Sequence, residues 1–119
     1  MLTLRDALPE DTDQILEYVR ELAEFERLSH ECVADAGLLR RFLFEERRAQ
    51  AMMAEWDGAP AGFALYFYNF STFLGRPGIY LEDLFVRPAF RRKGIAKSVF
   101  LRSQSALNSG VGDHQRCRS

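Results

Sequence analysis

Between Ile79 and Ser98 the chain changes its periodicity. Ile-Tyr-Leu-Glu-Asp-Leu-Phe-Val is an apolar run of strand-favouring residues that ends at Val86. Pro88 interrupts it, and Arg91-Arg92-Lys93-Gly94 follow. From Gly94 to about Leu107, Ala96, Val99, Phe100, Ala106 and Leu107 recur at helical spacing. A strand that passes into a helix through a short turn gathers the helix's free backbone N–H groups at one point. Such a point suits an anion, phosphate above all. Gly94 accommodates positive φ, and Ala96 leaves room for a close approach. The helix dipole contributes about 0.3–1 kcal/mol to an anion there. The hexapeptide Arg91-Arg92-Lys93-Gly94-Ile95-Ala96 reads equally well as a basic, solvated helix start. It lacks the spacing of a P-loop and the three glycines of a dinucleotide fingerprint.

The rest of the chain falls into line around this segment. Leu2 to Arg5 alternates as a short strand. Asp11 with Gln14 resembles a capping box, and Ile15, Leu16, Val19, Leu22 and Ala23 predict a helix over 12–28. Asp35 can cap a second helix with Leu38, Leu39, Phe42 and Leu43 on one side. Ala49 to Trp56 and Ala61 to Phe70 read as strands joined by an Asp57-Gly58 hairpin turn. Ser71 to Gly78 reads as a loop and Ile79 to Val86 as the next strand. The order predicts an α+β (mixed α/β) fold, with helices packed on a mostly antiparallel sheet. Residues 1–107 form its one domain; 108–119 is a polar tail with little to bury, expected to be disordered.

At 119 residues with net charge −1, the chain carries no global attraction for nucleic acid or anionic membrane. Its cations are clustered instead, at Arg40, Arg41, Arg47, Arg48 and Arg91 to Lys93. A nucleic-acid module would need a wider basic stripe. Cys32 and Cys117 are too far apart for zinc spacing, so no metal is expected. With no membrane-length apolar run and no signal-peptide pattern, the expected location is the cytoplasm.

Glu82 and Asp83 interrupt the apolar strand. Neighbours on a strand face opposite ways unless a bulge intervenes, so they do not form a carboxylate dyad. A carboxylate in such a run is costly unless it is paired or lines a cavity. Structural ion pairs and functional acids both satisfy that condition.

Taken together, these residues resemble the GNAT superfamily of N-acetyltransferases. Arg91, Gly94 and Ala96 match its Gln/Arg-x-x-Gly-x-Gly/Ala motif directly after a strand. Tyr80-Leu81-Glu82-Asp83-Leu84-Phe85-Val86 and Glu21-Leu22-Ala23-Glu24-Phe25-Glu26 are similar to the diamine, polyamine and thialysine acetyltransferase branch. The resemblance covers about residues 2–107. It implies a GNAT-like fold that lacks its C-terminal part, and acetyl-CoA as the acetyl donor. Arg91, Arg92, Lys93, Gly94, Ile95, Ala96 and Lys97 would then surround the pyrophosphate. The backbone of Leu84, Phe85 and Val86 would pair with the pantetheine arm as an added strand. The Phe85 amide would polarise the thioester carbonyl.

The implied acceptor is a primary amine of a small molecule: a diamine, a thialysine-like amino acid or a polyamine. An alkylammonium with a pKa of about 10.4 must lose a proton before it attacks. Glu82 is the candidate catalytic base, and Glu26 and Asp83 are the candidate acids that attract the cationic substrate. The polyamine enzymes carry an acid in the loop where this chain has Ser71, which favours a small amine over a long polycation. No tyrosine follows Tyr80, so the family's usual acid for the leaving thiolate is absent from this sequence. A thiol with a pKa of about 8.5 already leaves fairly well, and general-acid help contributes about 10²–10⁴ in rate. Without a following strand, Ile79 to Val86 is a long apolar edge that invites pairing with another chain, so a homodimer that supplies some of the walls is expected. The alternative is a truncated, impaired fragment that binds CoA weakly or acts only in association.

Overall fold

The computed structural model describes residues 1–105 and 115–117. Five strands lie in the order β1 (Leu2–Asp6), β2 (Gln50–Trp56), β3 (Ala59–Ser71), β4 (Arg76–Val86) and β5 (Gln115–Cys117). The first four pair antiparallel with their neighbours, and β5 runs parallel to β4 beside Ile79–Leu81. Among the described residues, three α-helices complete the fold: α1 (Thr12–Phe25), α2 (Ala36–Arg40), which continues into a wider turn over Arg41–Glu45, and α3 (Ile95–Ser105). The α+β plan with helices on a mostly antiparallel sheet is the one expected. The sheet separates two apolar cores. Ile15, Tyr18 and Leu22 of α1 meet Met53, Phe63 and Phe85 on one face. On the other face, Ile95 and Val99 of α3 meet Met52, Ala64, Tyr66, Ile79 and Leu81.

Local chemistry explains most boundaries. Asp57 and Gly58 both have positive φ, 52° and 83°, as the tight hairpin turn requires. The Asp35 carboxylate accepts a 2.8 Å hydrogen bond from the Leu38 N–H and caps α2. Four boundaries differ from expectation. The expected loop over 71–78 shrinks to 72–75, because β3 and β4 extend as a two-stranded ribbon past the end of β2. Asp11 does not cap α1 with its side chain; the carboxylate is taken by Arg5 at 2.7 and 2.9 Å and by the Leu8 N–H. These bonds, the Arg5 pair first, hold the Asp11 carboxyl below the usual carboxylate range.

The third difference is at the end of α1, which stops at Phe25 rather than Leu28. Arg27 takes φ 59°, while the Arg27 and Leu28 N–H groups return to Glu24 and Ala23 carbonyls at 3.0 and 2.7 Å. That is a Schellman stop with arginine in the place usually held by glycine. The fourth lies in the polar tail. Gln115–Cys117 form a strand, because the β4 edge at Ile79–Leu81 offers unpaired backbone groups. The remaining expectations for 106–114 and 118–119 fall outside the described residues.

A candidate cofactor cleft between strand and helix

The site begins where β4 ends. The Arg87 N–H donates to the Ala61 carbonyl at 2.8 Å, so the strand stays tied to β3 up to its last residue. Pro88 opens a single helical turn over Pro88–Phe90, a position where its missing N–H costs nothing. Arg91 returns to extended backbone at ψ 160°. Arg92 and Gly94 then take φ 65° and 76°, and Lys93 between them does not. Alternation of this kind turns successive N–H groups inward to form a nest, a concavity suited to an anion. The Ser98 N–H bonds to the Gly94 carbonyl at 3.1 Å and starts α3. A Cβ placed on Gly94 would meet nothing within 4 Å, so this turn opens onto free space.

A cleft of about 570 Å³ lies over this turn. Leu84, Phe85 and Val86 form one wall, and Arg92, Gly94, Ile95, Ala96 and Lys97 form its floor, with Arg91 also in the lining. The opposite wall is the last turn of α1, with Leu22 and Phe25, and Glu26 directly after it. The early stop of α1 leaves Phe25 and Glu26 exposed at the cleft. Arg91 spans the mouth: its guanidinium lies 4.9 Å from the Phe25 ring centroid, and its Nε donates to the Val86 carbonyl at 3.0 Å. Beyond Leu81, the outer edge of β4 carries no strand among the described residues.

Nine of the ten residues proposed from sequence to hold a cofactor therefore meet in one cleft, with Glu26 beside them. Lys93 is the tenth. Its ammonium lies 4.9 Å above the Trp56 ring, outside the cleft lining. Glu82 and Asp83 are half-buried and do not line the cleft either. A bulge explains their placement. Leu65 pairs with Asp83 and Tyr66 with Leu81, so Glu82 is the extra residue on β4. Asp83 consequently falls on the Phe85 face of the sheet, two residues before it. His30 is exposed, 3.6 Å from the Glu31 carboxylate.

Sequence reasoning passed over three lining residues, Leu22, Phe25 and Phe90, and one neighbour, Arg87. Leu22 reads from the sequence as core alone, and it serves both purposes. Glu21 accepts two hydrogen bonds from Arg87, which holds that guanidinium still more firmly protonated than a free one. Among the described residues, no helix is long and apolar enough to cross a membrane.

The chain is similar to known proteins in sequence and in fold. A thialysine N-ε-acetyltransferase of Mus musculus is 36% identical over 117 aligned residues, covering 90% of this chain and 68% of that protein. One of Caenorhabditis elegans is 33% identical over 104 residues, covering 87% of this chain and 64% of its own length. The chain thus spans about two thirds of the length of these relatives. The fold superposes on a predicted acetyltransferase of Clostridium acetobutylicum solved with acetyl-CoA. The TM-score is 0.75 at 18% identity, over 98% of this chain and 79% of that one. A description of the Acetyltransferase (GNAT) family matches residues 12–103. Both cleft walls and the turn between them fall within that match, and the chain belongs to the GNAT acetyltransferase family.

Proposed function

We propose that this chain is an acetyl-CoA-dependent N-acetyltransferase whose acceptor is a primary amine of a small molecule. One observation carries the reading: the outer edge of β4 and the amides opening α3 border the same cleft. The backbone turn from Arg92 to Ala96 holds the diphosphate, with Arg91, Arg92 and Lys97 adding positive charge. The pantetheine arm lies along Leu84–Val86. The coenzyme supplies an acetyl group already activated as a thioester. The protein supplies alignment and proton removal. Glu82 takes the ammonium proton, directly or through water. Glu26, exposed at the cleft, and Asp83 draw in the cationic acceptor. The names of the relatives favour a thialysine-like amino acid over a long polyamine as that acceptor.

Calorimetry with acetyl-CoA and a thiol-release assay across thialysine, a diamine and a polyamine test the proposal. Gly94→Glu should abolish coenzyme binding while the protein still melts cooperatively, because a carboxylate would then stand at the anion seat. Glu82→Gln should lower turnover about 10²–10⁴-fold with little change in coenzyme affinity. Unchanged affinity in the first variant removes the phosphate turn, and an unaltered pH–rate profile in the second removes Glu82 as base. Binding without turnover of any amine favours the impaired-fragment alternative.

A further inference from the structure

The two walls of the cleft come from elements far apart in sequence, and something must hold them at a fixed spacing. We infer that Arg87 is the positioning residue that sets this spacing, by clamping the end of β4 to α1 behind the cleft. It follows Val86 directly, and its own N–H is fixed to Ala61. Its side chain turns onto α1 rather than into solvent. Nε and Nη2 donate to the two oxygens of Glu21 at 3.2 and 2.8 Å, and Nη2 also reaches Glu17 at 2.7 Å. The guanidinium carbon lies 5.0 Å from the Tyr18 ring centroid. That ring stacks on Phe63 and tilts against Phe85, so the clamp rests on the core itself.

Position separates Arg87 from the residues that would touch a ligand. Glu17, Tyr18 and Glu21 lie on α1 before Leu22, Phe25 and the following Glu26, and Arg87 lines no part of the cleft. Arg91 also joins the two walls, but at the exposed mouth, where a ligand would compete for the Val86 carbonyl. The Arg87 side chain is 24% exposed and Glu21 34%, against 59% for Glu17. The forked pair with Glu21 therefore carries the clamp, since exposed pairs contribute little. Lysine could keep the charge but not the planar fork or the stacking.

That the cleft receives acetyl-CoA rests on the function proposed above; the clamp does not. The test begins with hydrogen exchange on the ligand-free protein, comparing wild type, Arg87→Met, Arg87→Lys and Glu21→Gln. The expected result is exchange at least tenfold faster at Leu22–Glu26 in Arg87→Met and Glu21→Gln, with core amides of β2 unaffected. Arg87→Lys should restore protection only in part. Equal acceleration everywhere, or none at Leu22–Glu26, overturns the clamp. The second measurement is kinetic. Arg87→Met should raise the KM for acetyl-CoA about tenfold with kcat within twofold, and adding Glu21→Gln should worsen it no further. An unchanged KM, or additive effects of the two substitutions, overturns the positioning role. Failure of the wild type to bind acetyl-CoA would remove the proposed function, while the exchange result would still decide the clamp.

Discussion

Tyr18 is fully buried, yet its hydroxyl has no hydrogen-bond partner among the described residues. The ring is well placed, stacked 5.4 Å from Phe63 at an interplanar angle of 10°. The oxygen is the liability, because leaving a desolvated hydroxyl unpaired costs about 1–3 kcal/mol. Tyr18→Phe keeps the stacking and removes the oxygen. It should therefore raise stability, by about 1 kcal/mol in urea unfolding. A loss of similar size would show that a bound water completes the hydroxyl. Helical spacing identified Ile15 and Leu22 as core from sequence but passed over Tyr18, since tyrosine is as common at surfaces as inside. Gly94 was legible because its role is a backbone property. Arg87 was not, because its partners lie more than sixty positions away.

Elements show the same division between local and long-range information. Gly62 in β3 faces the backbone of β4: a Cβ there would drive into the Phe85 carbonyl oxygen and stand 3.0 Å from the Val86 Cα. Glycine in a strand often marks such a close approach. Gly62→Ala must push β4 outward at Phe85 and Val86, two of the three residues of that cleft wall. Overpacking of this kind costs about 1–3 kcal/mol. The variant should unfold at lower urea and bind acetyl-CoA more weakly; an unchanged midpoint would deny the close approach. Strand order and type were readable from period and turn chemistry. The bulge at Glu82 leaves a trace in the apolar pattern of β4. Ile79, Leu81, Leu84 and Val86 all pack on the α3 face, which is possible only if one residue between Leu81 and Leu84 is skipped. The stop of α1 left no such trace, because Arg27 is not a residue that announces a left-handed turn.

At the scale of the molecule, the sheet divides two cores and each holds one buried tyrosine. Tyr18 projects from α1 into one core and Tyr66 from β3 into the core under α3, at 0% and 5% exposure. Burial pushes both phenols up to about 12. An unfolded chain would ionise them near 10. Below pH 10 both states keep the protons, and the two tyrosines make stability no steeper in pH. Between about 10 and 12 the unfolded chain releases protons that the folded one retains, so the equilibrium moves toward unfolding. Stability should thus be level up to pH 10 and fall through pH 12. Tyr18→Phe and Tyr66→Phe should each remove part of that slope, and the double variant should remove the sum, because the two rings belong to separate cores. Urea midpoints measured from pH 8 to 12 decide the matter. A slope that neither substitution changes would mean that the phenols ionise without unfolding, and that neither core excludes water as tightly as the packing requires.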